Sequence, residues 1–199
     1  MILLGGGGHA SVVLEILRLN KTEIIGVSDP AVRDEVIFEN IPVLDDDEVI
    51  EKYQNSKVCL VNGIGPSTKS TLRQIINAKF IDLGYKFLSV VHPSASISKS
   101  AILEEGCQIM AGGIIQSRSI IGQNSVINTG SVIDHDSSIG EYTHIAPGAV
   151  ICGSVATGYG VFIGAGATII ENLSLGDKSL VAAGTTLRRN LSKGERYLG

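Results

Sequence analysis

Residues 133–138 read Ile-Asp-His-Asp-Ser-Ser and form one repeat of a six-residue pattern that runs through more than half of the chain. From Ile97 to Leu187 every sixth residue is a bulky aliphatic, and fifteen of the sixteen positions match, with Thr157 as the exception. From Ala101 to Thr185, every position four residues after this register holds a small or slim residue, and only Leu173 is bulky there. Neither a helix of 3.6 residues per turn nor a strand of period two keeps a period of six on one face. The unbroken hexapeptide period therefore predicts a solenoid of short strands stacked coil on coil.

This pattern resembles that of the hexapeptide-repeat acyltransferases, whose three-walled left-handed parallel β-helix takes three hexapeptides per coil. The left-handed sense is implied by that resemblance, because the period alone indicates only that coils are present. With strands about 4.8 Å apart, about five coils would make a prism on the order of 24 Å tall. Aliphatics three hexapeptides apart would form a column through its interior: Ile97, Ile115, Ile133, Ile151, Ile169 and Leu187.

Composition and charge narrow the classes of partner. The chain has 199 residues, a formal net charge of −4, a pI near 5.5 and no basic run, which argues against nucleic acid as a partner. No apolar run reaches the length of a membrane span, and the chain enters a strand-like Ile2–Leu4 without a signal peptide, so no membrane association is expected. The three cysteines cannot all pair, and a reduced, cytoplasmic protein is expected.

Residues 1–92 alternate strand and helix signals and predict an α/β domain of βαβαβ type, a Rossmann-like half, ahead of a β-helix at residues 93–199. Strands are predicted at Ile2–Leu4, Ile24–Val27, Lys57–Val61 and Phe87–Val91. Helices are predicted from Ser11 as N-cap through Leu19, from Asp45 to Gln54, and from Ser67 as N-cap to about Asn77.

Ligands of parallel sheets bind beyond the carboxyl ends of the strands, where three predicted loops of this domain meet. These loops are Gly5–Ala10, Ser28-Asp29 and Asn62–Pro66. A glycine-rich loop ahead of a helix offers backbone N–H donors to phosphate and lets it approach closely. We therefore expect a phosphorylated ligand at this edge of the sheet.

The glycine loop also fits the dinucleotide fingerprint through Gly5, Gly7 and Ala10, with Asp29 at the distance that suits a ribose contact. A dinucleotide fold needs a second half, and the solenoid begins in its place. A single phosphorylated ligand such as a nucleotide sugar is thus favoured over NAD and over a tight turn without a ligand. His9 either donates to a pyrophosphate or faces solvent.

Two of the four histidines, His135 and His144, lie in the solenoid at positions that we expect to face outward, where a neighbouring prism could meet them. His135 stands between Asp134 and Asp136, and one carboxylate could orient its ring and raise its basicity. Gly153 lies three hexapeptides later, where its backbone could approach a ligand held over the imidazole. Taken alone, this stretch favours an exposed histidine among acids. The resemblance to hexapeptide acyltransferases, which use a surface histidine as general base at a subunit interface, favours a general base instead.

Longer stretches narrow the resemblance to one family. Residues 128–136 and 139–148, together with Gly6–Ala10, Ser28-Asp29 and the segment 63–68, are similar to the NeuD/PglD family of sugar O- and N-acetyltransferases. The similarity covers essentially the whole chain. It implies that the N-terminal domain binds a nucleotide-linked sugar and that the β-helix binds acetyl-CoA between adjacent subunits of a homotrimer.

The resemblance also implies roles for single residues. His135 would take the proton from the attacking sugar amine or hydroxyl, Asp136 or, second, Asp134 would hold the ring, and the Gly153 N–H would steady the thioester oxygen. The remaining implied contacts to acetyl-CoA are Asn128, His144, Ala165 and Ala183. The implied contacts to the nucleotide sugar are Gly8, His9, Asp29 and Gly65. The acid after the histidine is often Glu in relatives that act on 4-amino sugars, and Asp136 is one methylene shorter, so the acceptor atom stays open.

The leading hypothesis is an acetyl-CoA-dependent N-acetyltransferase for a UDP-linked 4-amino-4,6-dideoxy sugar of bacterial surface-glycan biosynthesis. An O-acetyltransferase for sialic acid or a related nonulosonate is the enzymatic alternative, and a non-catalytic partner protein of the same pathway is the other. Solenoids of this kind also occur as zinc carbonic anhydrases, which need three histidines at an interface. His135 and His144 are only two, and His92 precedes the coils, so no metal is expected.

Overall fold

The computed structural model describes residues 1–29, 38 and 40–199, which divide into two compact units, Met1–Val90 and Val91–Gly199. The elements of the first unit are β1 (Ile2–Leu4), α1 (Gly8–Leu19), β2 (Gly26–Ser28), β3 (Val43–Leu44), α2 (Asp46–Lys52), β4 (Cys59–Asn62), α3 (Leu72–Asp82) and β5 (Lys86–Phe87). The strands form one parallel sheet in the order β3-β2-β1-β4-β5. Because β1 is central and all strands are parallel, the loops after β1, β2 and β4 leave the same edge of the sheet.

The start of α1 differs from the prediction. The helix begins at Gly8 with Gly7 as N-cap, whereas Ser11 lies inside the first turn and donates its Oγ proton to the Gly8 carbonyl at 2.7 Å. The physical reason is that Gly5, at φ +96°, turns the chain directly after β1, so the helix starts as soon as the turn is complete. Gly8 and His9 therefore belong to the first turn of α1.

For the other two helices, the predicted start of α3 is wrong and the predicted start of α2 is confirmed. Helix α3 has Thr71 as N-cap, because the Ser67 Oγ accepts the Lys69 N–H in a local turn instead of capping a helix. Helix α2 has a full capping box, in which the Asp45 side chain accepts the Glu48 N–H and the Glu48 side chain accepts the Asp45 N–H. Asp46, Asp47 and Glu48 place negative charge in the first turn, where it interacts favourably with the helix dipole.

The predicted strand Phe87–Val91 is divided between two sheets, since Lys86–Phe87 is β5 and Val90–Val91 starts the solenoid as β6. Seventeen further two-residue strands follow in three parallel walls. In chain order they are β7 (Ser96–Ile97), β8 (Ile102–Leu103), β9 (Gln108–Ile109), β10 (Ile114–Ile115), β11 (Ile120–Ile121), β12 (Val126–Ile127), β13 (Val132–Ile133), β14 (Ser138–Ile139), β15 (His144–Ile145), β16 (Val150–Ile151), β17 (Ala156–Thr157), β18 (Phe162–Ile163), β19 (Thr168–Ile169), β20 (Ser174–Leu175), β21 (Leu180–Val181), β22 (Thr186–Leu187) and β23 (Arg196–Tyr197).

Each wall pairs a strand with the strand three hexapeptides later, so that Ile115, Ile133 and Ile151 are register partners on successive coils. The walls have the orders β22-β19-β16-β13-β10-β7, β20-β17-β14-β11-β8 and β23-β21-β18-β15-β12-β9-β6. The parallel β-helix predicted from the hexapeptide period is thus confirmed.

The interior of the solenoid is built from the aliphatic register. From Ile109 to Leu187 its aliphatic members are almost completely buried, whereas Ile97 and Leu103 in the first coil are only partly covered. The exception Thr157 is also buried, and its Oγ1 accepts the Gly140 N–H at 2.9 Å. A hydroxyl is accepted in this apolar column because it finds a backbone donor.

A second periodicity of the coils lies three residues after each aliphatic. From Gly106 to Gly184 every hexapeptide has a residue with φ between +52° and +75° at this position. Glycine or asparagine fills most of these corners, which suits the left-handed region, but Arg118 and Asp136 also occupy it. Arg118 and Asp136 lie at the same corner on two successive coils, and this corner carries the candidate site. In the described part of the chain, no helix is both long and apolar enough to cross a membrane.

Candidate active site

His135 lies at the corner that follows β13, and 53% of its side chain is exposed. Its Nδ1 is 2.8 Å from Asp136 Oδ2, and its backbone N–H donates to Asp134 Oδ1 at 2.8 Å. Asp136 therefore contacts the ring, whereas Asp134 fixes the backbone next to it. If Nδ1 carries the proton that binds Asp136, Nε2 is left as the acceptor of the imidazole.

Asp136 is held from its other side by Arg118 of the preceding coil. Arg118 Nε donates to Asp136 Oδ1 at 2.6 Å, and Arg118 Nη2 donates to Oδ2 at 2.8 Å. The Arg118 hydrogen bonds first, and the His135 hydrogen bond second, lower the pKa of Asp136 from 3.8 to about 2. The carboxylate is thus ionised at neutral pH and accepts from a guanidinium and an imidazole together.

Gly153, one coil after His135, is buried beneath the imidazole ring. A Cβ added to Gly153 would lie 2.7 Å from His135 Cε1 and 3.0 Å from Nε2. The absence of a side chain at this position therefore lets the ring lie against the backbone of the next coil. The predicted neighbourhood of His135, Asp136 and Gly153 is present, and Arg118 is a member that the sequence reasoning missed.

The His144 side chain is largely buried within its own chain, so the expectation that it would lie on the surface is wrong. Only 8% of His144 is exposed. The ring packs edge-on against Phe162 of the next coil, with 4.8 Å between ring centroids, and its Nε2 lies 3.3 Å from Asn128 Nδ2. An outward position in a β-helix is buried where large neighbours on the same wall cover it, which the period of six does not reveal.

Ala165 and Ala183 occupy the same corner on successive coils and are both exposed. A hydrogen bond joins the two coils at this corner: the N–H of Gly184, the residue after Ala183, donates to the Ala165 carbonyl at 2.8 Å. A Cβ on Gly164 would lie 2.4 Å from the Ala183 nitrogen, so the backbones approach closely here. The structure brings the two alanines together as a small-residue step on the surface.

In the first unit, the glycine loop meets the loops after β2 and β4. The Gly6 N–H donates to Asp29 Oδ2 at 2.6 Å, which ties the loop after β1 to the end of β2. A Cβ on Gly65 would lie 3.2 Å from His9 Cβ, so the loop after β4 packs beside the first turn of α1. A Cβ on Gly8 would meet nothing within 4 Å, which leaves open space above this turn. Gly8, His9, Asp29 and Gly65 thus lie at one edge of the sheet, as predicted.

A buried polar cluster supports the loop after β4, and the sequence reasoning missed it. Arg73 is 4% exposed and its Nη1 donates to the carbonyls of Asn62 at 3.1 Å and Ile64 at 2.7 Å. The Asn62 side chain accepts the Ile64 N–H at 2.9 Å and donates to Asn77. An arginine one residue into a helix ordinarily indicates a surface position, so only the packing shows its role.

Among the described residues, no group of three or more His, Cys, Asp or Glu side chains could hold a metal ion. Comparison with families gives three matches along the chain. The PglD N-terminal domain matches residues 1–78, the bacterial transferase hexapeptide (six repeats) matches residues 118–153, and the hexapeptide repeat of succinyl-transferase matches residues 155–189. Comparison with curated proteins finds no match.

Solved structures resemble the chain over nearly its whole length. A histidine mutant of perosamine N-acetyltransferase from Caulobacter crescentus, in complex with CoA and GDP-perosamine, is 34% identical with a TM-score of 0.90, over 100% of this chain and 92% of that chain. PerB from Caulobacter crescentus, with the same two ligands, is 35% identical with a TM-score of 0.86, over 96% and 90%. The acetyltransferase domain of PglB from Neisseria gonorrhoeae, in complex with acetyl coenzyme A, is 26% identical with a TM-score of 0.88, over 98% and 93%.

The coils, the α/β unit and these matches define a hexapeptide-repeat acyltransferase with a left-handed parallel β-helix. More narrowly, the chain belongs to the PglD/NeuD family of sugar acetyltransferases. The family that the sequence resembles is therefore confirmed, and so is the assignment of the protein as an acyltransferase.

Proposed function

We propose that this protein transfers the acetyl group of acetyl-CoA to the amine of a nucleotide-linked amino sugar, with His135 as general base. The observation that carries the proposal is the environment of the His135 ring, with the Asp136 carboxylate on Nδ1 and the Gly153 backbone against its face. An imidazole bound by a carboxylate at one nitrogen can accept a proton at the other. The relatives solved with CoA and GDP-perosamine support the two substrate classes.

In the proposed reaction, His135 Nε2 accepts a proton from the sugar amine as the amine nitrogen attacks the carbonyl carbon of the thioester. Asp136, which is ionised, stabilises the imidazolium that results. The Gly153 N–H is the proposed donor to the carbonyl oxygen while negative charge develops there. The carbon–sulfur bond then breaks, the imidazolium returns its proton to the sulfur, and the products are the N-acetylated sugar and CoA with a free thiol.

The proposed acetyl-CoA contacts divide into an exposed and a covered group. Ala165 and Ala183, exposed on successive coils, offer a small-residue surface along which the pantetheine chain would lie. His144 contacts both Asn128 and Phe162, so we propose that it acts by shaping this wall with Asn128. The burial of the His144 ring corrects only its expected surface position, and its contact with acetyl-CoA stays a prediction.

The first unit is the proposed site of the nucleotide sugar. The N-terminus of α1 directs backbone N–H groups and the positive end of the helix dipole beyond β1, and Gly8 leaves room above it. We propose that the pyrophosphate lies there, in contact with Gly8 and His9, with Gly65 lining the same edge. Asp29 already accepts the Gly6 N–H, so it shapes the glycine loop in addition to its proposed contact with the ribose or base.

The nucleotide of the acceptor has two candidates. A UDP-linked 4-amino-4,6-dideoxy sugar was expected from the sequence resemblance, and the two solved complexes with GDP-perosamine support a GDP-linked amino sugar. We also propose that the protein is a cytoplasmic homotrimer with the acetyl-CoA site between subunits, acting in bacterial surface-glycan biosynthesis. Analytical ultracentrifugation tests the trimer, and a fully active monomer would contradict a shared site.

The experiment is an acetyl-transfer assay with purified protein, acetyl-CoA and a panel of acceptors: UDP- and GDP-linked 4-amino sugars and free sialic acid. CoA thiol release gives the rate, and mass spectrometry gives the acetylated product. His135→Ala should lower kcat for the preferred amino sugar by about 10²- to 10⁴-fold. His92→Ala is the matched control, because this histidine also lies in the second unit but contacts Ser94.

The outcomes separate the functions. Acetylation of either amino sugar that depends on His135 supports the proposal, and the preferred nucleotide follows from the ratio of kcat/KM values. O-acetylated sialic acid as the only product would favour the O-acetyltransferase. A His135→Ala protein with full activity would remove the proposed base, and no product with any acceptor would favour the non-catalytic partner.

A further inference from the structure

Arg118 and Asp136 occupy the same corner on two successive coils, each three residues after an interior aliphatic. Both have left-handed backbone conformations, with φ of 60° for Arg118 and 59° for Asp136. Arginine has no special preference for this region, in contrast to glycine and asparagine. Arg118 therefore has a backbone conformation that is uncommon for its residue type.

The guanidinium makes a bidentate contact with the carboxylate that binds His135. Nε donates to Asp136 Oδ1 at 2.6 Å and Nη2 donates to Oδ2 at 2.8 Å, while His135 Nδ1 lies 2.8 Å from the same Oδ2. Two oxygens are thus held in one plane by the arginine fork, and one of them points at the imidazole. A planar fork fixes the orientation of a carboxylate in a way that a single hydrogen bond does not.

A purely stabilising role explains this geometry poorly. The Arg118 side chain is 65% exposed and that of Asp136 is 35% exposed. Ion pairs at such exposed positions contribute little to folding, because water screens them and long side chains lose freedom. The backbone of the corner is held separately, since the Asp136 N–H donates to the Ser117 carbonyl and the Arg118 N–H donates to Ser100 Oγ. The ion pair therefore affects the orientation of the imidazole more than it affects the stability of the fold.

We infer that Arg118 is a positioning residue for acetyl transfer, which locks the Asp136 carboxylate so that His135 keeps its proton on Nδ1 and its lone pair on Nε2. The inference rests on the proposed role of His135 as general base. Arg118 acts only through Asp136 and does not touch the reacting atoms. Without the fork, the carboxylate turns about its Cβ–Cγ bond, the ring loses its orientation, and a smaller share of the molecules present a basic Nε2.

The test compares four variants by steady-state kinetics: Arg118→Gln, Arg118→Lys, Asp136→Asn and the double variant Arg118→Gln/Asp136→Asn. Arg118→Gln should lower kcat by about tenfold with the KM values for both substrates unchanged, since an orienting group of a general base contributes part of the 10²- to 10⁴-fold of that base. Arg118→Lys keeps the charge without the fork and should recover only part of the rate. In the Asp136→Asn background the Arg118→Gln change should have no further effect, because the two residues act in series.

The matched control is Lys178→Gln. Lys178 is also an exposed basic residue at a corner with left-handed conformation, at φ 57°, but it lies on a later coil. Loss of the cation there should leave kcat, both KM values and the melting temperature unchanged. A melting curve of each Arg118 variant separates a loss of fold from a loss of orientation.

A readout independent of activity is the tautomer of His135 in ¹⁵N NMR spectra of the labelled protein. The wild-type ring should show a protonated Nδ1 and a bare Nε2, and Arg118→Gln should shift the ring toward a mixture of both forms. Unchanged nitrogen shifts, independent multiplication of the two rate losses, or a raised KM for acetyl-CoA in Arg118→Gln would each overturn the inference. Failure of the proposed function is recognised separately, by full activity of His135→Ala.

Discussion

The two units of this protein bring residues together by different rules. In the solenoid, residues three hexapeptides apart lie on successive coils, so Arg118 meets Asp136 and Gly153 lies beneath His135. In the first unit, contacts such as that between Gly6 and Asp29 depend on which strands are neighbours in the sheet. A repeat converts sequence spacing directly into spatial contact, whereas an α/β edge site exists only after the strand order is set.

Gly140 of the solenoid and Gly7 and Gly8 of the first unit differ in how closely other atoms approach them. A Cβ on Gly140 would lie 2.3 Å from the Gly158 carbonyl oxygen of the next coil, which is backbone and cannot move away. A Cβ on Gly7 or Gly8 in the first unit would meet nothing within 4 Å. Gly140 thus lets two coils stack closely, and Gly7 and Gly8 leave space where a ligand is proposed to bind.

The sharpest way to test the comparison is Gly153→Ala, where the new Cβ would collide with the His135 ring at 2.7 Å from Cε1. The ring is the end of a side chain and can swing away, so the fold should persist while kcat falls by about 10²-fold or more through loss of the general base. Steady-state kinetics and a melting curve check both parts. The same substitution in a His135→Ala background should cost nothing further; wild-type activity of Gly153→Ala would show that the ring position does not matter.

The next effect concerns stability. Gly140→Ala places a Cβ between two backbones and should lower the free energy of unfolding by about 1–3 kcal/mol, as overpacked cores do. Urea denaturation measures the loss. Gly8→Ala is the matched control, and because alanine favours the helix more than glycine, its stability should be equal or slightly higher. Equal stabilities for the two variants would mean that the coils can yield at Gly140.

A smaller effect is expected on the KM for the nucleotide sugar when Gly8 of the first unit is replaced. Gly8→Ala adds a Cβ to the open space above α1, where the pyrophosphate is proposed to lie. We expect the KM for the nucleotide sugar to rise about fivefold, which corresponds to roughly 1 kcal/mol of binding free energy. The KM for acetyl-CoA should not change, since that substrate is assigned to the solenoid. A rise in both KM values would argue against separate sites.

The smallest effect is a pH dependence at the Arg118–Asp136 pair. The pKa of Asp136 is about 2 in the folded protein, below the ordinary 3.8, because Arg118 and then His135 donate to the carboxylate. Since the folded pKa is the lower one, the stabilisation is present above about pH 4 and disappears as the pH falls toward 2. The stability difference between wild type and Asp136→Asn should shrink over that window.

Carboxyl ¹³C shifts of Asp136 give the direct readout. The wild type should titrate with a midpoint near 2, and Arg118→Gln should titrate closer to the ordinary value. A wild-type midpoint near 3.8 would show that the ion pair is not formed in solution.

The two solenoid histidines show which structural features could be predicted from the sequence and which could not. Both occupy outward positions in the hexapeptide register, and both were therefore predicted to be exposed. His135 lies at a corner and is exposed, whereas His144 lies within a wall and is covered by Phe162 and Asn128. The register gives the direction in which a side chain points, and burial depends on the size of its neighbours on the same wall.

The helix starts of the first unit show a similar limit. Ser11 and Ser67 are favoured capping residues by type, yet Gly7 and Thr71 occupy the N-cap positions, neither with a side-chain capping hydrogen bond. Residue preference names candidates for a cap, but the turn that precedes the helix selects among them. Arg73 is a further example, because only the packing reveals that its guanidinium holds the carbonyls of the loop after β4.

The sequence by itself determined the coils, their interior column, the alternating α/β unit and the family, because hydrophobic periodicity is a local property that repeats. It also indicated His135, Asp136 and Gly153 as neighbours, since spacing and proximity coincide in a solenoid. Only the tertiary structure decided that Arg118 donates hydrogen bonds to Asp136, that His144 is buried and that Asp29 accepts the N–H of Gly6 in the glycine loop. These facts depend on side-chain orientation and on which backbones become neighbours, and neither is written in the spacing of residues.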